Sequence, residues 1–352
     1  MTAHHIPLAP PDEWVLRCGG YSLLLSRRAT ASAAGLLLAL VLLAGLSLAS
    51  GAAGLSPFTA LAAVFGRGEP ADVFLVQVLR LERLLAGLAT GMALGVAGCL
   101  LQTLARNRLA TPGVIGIDDG ATAFAVASII AVPTSLAPSA LALVGAMTAA
   151  ALAVGLGGGS GARGYRFIVV GIGVGAVFGA LTNLMLARTD IDAANQAYPW
   201  TVGSLSSRPW QAVQLLGVAL VLCLPLAKGL ARALSVMRFN DAVARGLGVR
   251  LGWVRGLTLS VTVVLTAFAV AVVGPVGLVA LAAPEIARYL AGPRGVPVLN
   301  AGLAGALLMV AADWCGRSLL APLEIPVGVV TAIVGGPYLL WIVLRSPVRR
   351  RP

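Results

Sequence analysis

The chain is predicted to be an all-α, polytopic membrane protein of about ten transmembrane helices, and three observations carry that prediction. Of its 352 residues, 59% are hydrophobic and only 11% charged, with mean hydropathy +0.94, which leaves too few polar groups to cover a soluble globule. Apolar runs of roughly 20 residues recur from end to end, the length that about 30 Å of hydrocarbon requires of a helix. The polar breaks between them are short, so no soluble domain fits between the spans.

The spans are expected at 29–51, 84–104, 114–132, 136–156, 167–187, 213–231, 257–273, 276–290, 299–319 and 327–344. The first is too long for a signal-peptide core and lacks a convincing small-residue cleavage site, so it is read as a span. The chain then divides into an N-terminal segment 1–28, a single transmembrane domain 29–345 and a basic tail 346–352. Gly274-Pro275, Pro284 and Gly335-Gly336-Pro337 predict irregular helical segments lining a cavity. Closely spaced glycines, Gly87, Gly91, Gly95 and Gly98 and then Gly171, Gly173, Gly175 and Gly179, predict tight helix packing, which in lipid replaces the missing hydrophobic force.

The net charge of +12 does not form a stripe on a soluble surface, as a nucleic-acid protein would require; the basic residues sit at span ends. Nineteen of the 25 Lys and Arg fall on alternate loops counted from the N-terminus or at the span ends beside them, which predicts a multi-pass protein of the cytoplasmic (inner) membrane with both termini in the cytoplasm. Arg80 and Arg83 before the second span, and Arg317 at the end of the ninth, are cations on the opposite side. Docking of an acidic partner would account for them, because guanidinium pairs bidentately with carboxylate on a wet rim. Local pairing of Arg80 and Arg83 with Glu82, Asp72 or lipid phosphate is the alternative.

The segment of about 238–255 differs from the other loops. Asn240 is placed to cap a short helix starting at Asp241, Val243 and Leu247 share a face, and Gly246 and Gly248 end it, while Arg238, Arg245, Arg250 and Arg255 keep it soluble. It reads either as a short surface helix or as a basic interfacial loop anchored to acidic lipid. Four carboxylates fall at membrane depth: Asp118 and Asp119 in the third span, Glu285 in the eighth and Asp313 in the ninth. Such groups mark a pathway or a structural pair. Glu285 has Arg288 at i+3, which suits a local ion pair.

No phosphate-binding loop, HExxH or GxSxG occurs, and the two histidines, His4 and His5, offer no base to a nucleophile. Cys18, Cys99, Cys223 and Cys315 are scattered and are read as buried small hydrophobes. No enzymatic chemistry, metal or cofactor is therefore expected of this chain.

Ordered segments along the chain resemble the permeases of ATP-binding-cassette importers for iron siderophores, haem and cobalamin, the FecCD type. They are Arg80-Leu81-Glu82-Arg83, Gly98 to Gln102 leading to Arg106-Asn107, Pro112 to Gly116, Gly203-Ser204-Leu205, Gly274 to Gly277, Ala283 to Arg288, Ala312-Asp313 to Arg317, Glu324 to Thr331 and Gly335-Gly336-Pro337. The resemblance implies a cobalamin-importer-permease-like subunit that pairs with a second permease, identical or homologous, and is driven by two cytoplasmic ATPases. It also implies an extracytoplasmic binding protein that docks acidic residues on Arg80, Arg83 and Arg317. It implies ATPase coupling through Asn240, Asp241, Ala244, Arg245, Gly246, Leu247 and Gly248, and an inner gate around Gly164 and Tyr165.

The sequence departs from that pattern where Glu82 replaces Pro, Glu285 replaces His, and Asp118-Asp119 replace small or neutral residues. Two added carboxylates near the path would disfavour an anionic chelate, or would pair with arginines of the partner permease. The resemblance favours siderophore-bound iron as cargo, with haem or cobalamin the alternative within the family. An ion-coupled secondary transporter, with Asp118 and Asp313 in matching halves, is the competing class. A purely structural membrane subunit is the third.

Overall fold

The computed structural model describes residues 13–18, 21–50, 54–130, 137–158, 165–292, 295–319 and 323–345. Strands β1 (Glu13–Cys18) and β2 (Tyr21–Ser26) form an antiparallel hairpin with Cys18 opposite Tyr21, an element the sequence reading does not foresee. Ser26 then caps α1 (Arg27–Ala49), its hydroxyl facing the N–H of Ala29 as an N-cap requires.

The described helices after α1 are α2 (Pro57–Val64), α3 (Pro70–Phe74), α4 (Glu82–Ala105), α5 (Ile117–Ile130), α6 (Pro138–Gly157), α7 (Tyr165–Arg188), α8 (Ile191–Val202), α9 (Trp210–Met237), α10 (Asp241–Gly246), α11 (Leu251–Val273), α12 (Gly277–Ala291), α13 (Val298–Ser318) and α14 (Val327–Arg345). A π-helical segment, Leu75–Leu81, joins α3 to α4 without a break. Pro70–Ala105 therefore forms one helical run of 36 residues, longer at its start than the expected span. Among the described residues, seven helices are long and apolar enough to cross a membrane. The remaining three expected spans are occupied by the shorter α5 and α12 and by α14.

Span three differs most from expectation. Its expected start, Val114, falls in a 3-10 turn, Pro112–Ile115, closed by Gly116 at φ +81, a backbone that glycine adopts without a Cβ clash. The helix itself begins only at Ile117. The expected irregularity at Gly274-Pro275 is present as the break between α11 and α12, whereas α12 and α14 run on through Pro284 and Pro337.

The packing centre is α4, buried over 78% of its apolar window, with α11 at 72% and α13 at 67%; α1 is buried over only 22%. Glycine explains how the central helices approach. A Cβ at Gly91 would lie 2.3 Å from the Gly305 carbonyl oxygen, one at Gly95 2.2 Å from that of Ala301, and one at Gly98 within contact of the Ala280 carbonyl. The backbones of α4, α12 and α13 therefore touch directly, as the glycine spacing predicts. The second glycine set divides in use. Gly171 abuts the backbone of Val114 and Gly175 that of Gly116, while Gly173 has no neighbour within 4 Å. Around this centre α1, α7 and α9 present Leu38, Leu42, Ile172, Val177, Val221 and Leu222 outward, exposed apolar faces suited to lipid.

Candidate functional site

Among the described residues, two polar clusters and a carboxylate-bearing pocket stand out from the apolar bundle. The first gathers at the start of α4 and the end of α13. Asp313, its side chain 6% exposed, accepts from Arg83 Nε on Oδ1 at 2.9 Å and from Arg317 Nε on Oδ2 at 3.1 Å. Arg83 also donates to Glu324 Oε2 at 2.8 Å. Arg317 donates to Ser47 Oγ at 2.7 Å. Arg80 is buried and donates to the carbonyls of Leu48 and Ala49 at 2.6 and 3.2 Å, so its charge meets the C-terminal end of α1, where a helix dipole favours a cation.

All three arginines singled out in the sequence thus meet in one cluster, with Asp313 shared by Arg83 and Arg317. The two ion pairs of Arg83 run to Asp313 and Glu324 and not to its sequence neighbour Glu82. The sequence reading does not foresee Ser47, Ser206 or the Asp313 bridge; the i,i+4 spacing of Asp313 and Arg317 is the one signal that could have shown it. Ser206 donates to Glu324 Oε2 at 3.3 Å. Burial works against the charge on Glu324, but hydrogen bonding from Arg83 and the Arg83 charge, with Ser206 and Arg317 behind them, outweigh it and hold the carboxyl below the usual range. The corner that carries Ser206 is pinned by Arg208, which donates to the Ser204 carbonyl at 2.8 Å and stacks 4.1 Å over the Trp200 ring. Burial pushes Arg208 down to about 10, so it remains a cation at neutral pH.

The second region lies at the other end of α4. The 23 residues from Arg83 to Arg106 span about 35 Å of helix, close to the hydrocarbon thickness of a bilayer. Here Arg106 donates to the Met237 carbonyl and to Asp241 Oδ1, and Arg255 donates to Asp241 Oδ2. Asp241 is the first residue of α10, whose cap is Asn240: its Oδ1 accepts from the Ala242 N–H at 2.8 Å. The short helix expected from the sequence is present, ends at Gly246, and is followed by Gly248 at φ +81. Ala244 is fully buried beneath it, while Val243 and Leu247 are exposed, so this face is open to a partner. Glu285 pairs with Arg288 at 2.7 Å, as the i,i+3 spacing predicts, and with Arg108 at 3.0 Å.

The third region is a pocket of about 380 Å³ between the start of α5, α12 and α14, lined by Thr111, Gly113, Asp118, Gly277, Leu278, Leu281, Ala332, Gly335 and Gly336. Asp118 and Asp119 stand in the first turn of α5, where the unpaired amide N–H groups favour negative charge. They diverge from each other. Asp118 enters the pocket wall beside Gly113, while Asp119 Oδ2 comes within 2.6 Å of where a Cβ on Gly175 would stand. Gly175 is thus the residue that leaves room for this carboxylate against α7. Tyr165 is the first residue of α7; Gly164 lies outside the described residues. Of the cysteines, Cys99 and Cys223 are buried and Cys315 is half-buried, all as free thiols.

Residues 37–345 match the FecCD transport family. The chain belongs to that family. It is 35% identical to the achromobactin transport system permease protein CbrC of Dickeya dadantii over 316 residues, covering 88% of this chain and 90% of the relative. It is 36% identical to the ferric enterobactin transport system permease protein FepG of Escherichia coli over 313 residues, covering 88% and 95%. Its fold matches a solved metal-chelate type ABC transporter in an inward-facing conformation with TM-score 0.76 and 26% identity, over 90% of this chain and 99% of that one. Family membership and the apolar helices together make this a multi-pass membrane protein.

Proposed function

We propose that the chain is the membrane-spanning permease subunit of an ATP-driven importer that carries an iron–siderophore complex across the cytoplasmic membrane. The observation that carries this reading is the match to the family over residues 37–345, whose relatives include permeases named for achromobactin and ferric enterobactin. Residues 29–345 act as one transmembrane domain, with both termini in the cytoplasm on the positive-inside asymmetry.

In this orientation the Arg80–Arg83–Arg317 cluster faces outward. Arg83 and Arg317 offer guanidinium forks at its rim to carboxylates of a substrate-binding protein, and Arg80 braces the α1 end behind them. Glu324 competes for the same fork on Arg83, so docking exchanges an internal carboxylate for an external one. On the cytoplasmic side Asn240, Asp241, Ala244, Arg245, Gly246, Leu247 and Gly248 form the seat of an ATPase. The buried Ala244 and the Arg106–Asp241–Arg255 bridge tie α10 to the ends of α4, α9 and α11, so movement of the seat tilts those helices. A second permease subunit, a copy or a homologue, completes the path, with Asp118 and its pocket, Asp119, Gly164 and Tyr165 as its wall and gate. ATP hydrolysis belongs to the separate ATPase subunits.

The test is a pull-down of the tagged chain from mild detergent, with and without Arg245→Asp and Leu247→Asp together. An ATP-binding-cassette ATPase recovered with the native chain and lost from the double variant supports both the importer and the seat. Its absence from both would overturn the reading in favour of an ion-coupled transporter.

A further inference from the structure

The ends of α4, α9 and α12 and the residues before α13 line a half-open cavity of about 190 Å³ whose described wall residues include four arginines, Arg106, Arg108, Arg238 and Arg288, and no carboxylate. Two carboxylates bond to these arginines from outside the wall: Glu285 to Arg108 and Arg288, and Asp241 to Arg106. Asp241 is shared further with Arg255. Three of the four guanidiniums thus share two carboxylates, and the cavity keeps a positive excess.

Two of the four have donors to spare. Arg238 donates to the Gly295 carbonyl at 3.1 Å and has no carboxylate partner among the described residues. Arg108 gives one N–H to Glu285 while its side chain stays 72% exposed. A guanidinium carries five N–H donors in a planar fork, and the fork matches the oxygens of a phosphate group. Immediately beside these cations in sequence, Phe239 and Tyr289 are exposed to 82% and 79%. Exposed aromatic rings next to basic groups at a helix end are the arrangement of a membrane interface, where rings lie at headgroup depth.

We propose that this cavity is a binding site for the phosphate group of an anionic membrane phospholipid, with Arg108 and Arg238 as its principal ligands. Arg106 and Arg288 supply the field, and Phe239 and Tyr289 rest at the level of the headgroups. Basic pockets between membrane helices take acidic headgroups in this manner. Arg238 stands two residues before Asn240, the cap of α10. The proposal rests on the membrane placement of the bundle and on neither its orientation nor its cargo.

The test is native mass spectrometry of the purified full chain, titrated separately with phosphatidylglycerol, phosphatidylcholine and inorganic phosphate, beside the variant Arg108→Ala with Arg238→Ala. The native chain is expected to prefer phosphatidylglycerol, and each arginine removed to weaken that binding about fivefold. Should the double variant elute as aggregate, Arg108→Ala alone carries the test, because that exposed side chain has one bond to lose. Binding of inorganic phosphate that is lost in the variant, without a lipid preference, supports the phosphate site with a free anion as its source. Binding of both probes that is unchanged by the substitutions, or no binding of either, overturns the proposal and leaves the cavity to acidic residues of a docked protein. An ATPase pull-down that fails leaves these outcomes unaffected.

Discussion

Replacing Asp313 by Asn tests the pivot of the outer cluster. The substitution keeps the shape of the side chain but removes its charge and turns one oxygen into an amide that can only donate. One of Arg83 Nε and Arg317 Nε then faces a donor, where both now face oxygens at 2.9 and 3.1 Å. Removing one partner of a buried ion pair costs about 3–5 kcal/mol. Here the arginine side chains are 17% and 13% exposed, and each keeps a second partner, Glu324 or Ser47, which together bring the loss to about 2–3 kcal/mol. For a chain of this size that corresponds to a fall in Tm of about 3–4 °C. The assay is thermal unfolding in detergent followed by monomer recovery, run as a cycle with Arg317→Gln, in which the two changes should couple by about 1 kcal/mol or more. A Tm within about 1 °C of the native value, or strictly additive losses in the double variant, would refute the assignment of Asp313 as the shared anchor.

Gly91→Leu should lower Tm strongly: its Cβ would sit 2.3 Å from the Gly305 oxygen, about 1 Å inside contact, and parting α4 from α13 by that much loses a quarter to a half of the dispersion between them. Gly173→Ala, with nothing within 4 Å, should leave Tm unchanged in the same measurement. The depressed pKa of Glu324 gives a stabilisation present above the ordinary Glu range and lost as pH falls through the lower folded value. A Tm profile from neutral to acid pH should therefore fall at its acid end for the native chain and be flatter there for Glu324→Gln. Asn240→Ala should cost about 1 kcal/mol of local helix stability and reduce ATPase recovery in the pull-down, with Asn240→Asp restoring it; equal recovery from all three chains would remove the capped helix from the coupling seat.

Much of the candidate site was legible because it depends on short-range rules. The Asn240 cap and the Glu285–Arg288 pair each involve residues within four positions of one another, and local spacing specifies such contacts. The hairpin 13–26 escaped because its alternation is weak and lies beside a long apolar run. The late start of α5 escaped because apolar periodicity runs smoothly through Val114 and Ile115, whereas Gly116 at φ +81 breaks the helix. Arg80 illustrates another limit: its charge suggested a wet rim, yet the π-helical segment turns it onto the carbonyls of Leu48 and Ala49.

By itself the sequence determined the membrane class, the approximate places of the helices, the close approach of α4 to its neighbours and the resemblance that became family membership. These follow from composition, periodicity and residue size, which act on each segment separately. Only the tertiary structure decided which charges share a partner. Asp313 meets Arg83 across 230 positions, Arg108 meets Glu285 across 177, and Arg238 reaches Gly295 across 57. A charge in a chain of this kind can be satisfied by any opposite charge or carbonyl that the fold brings near, so its partner is set by how the helices pack and not by where it stands in the sequence.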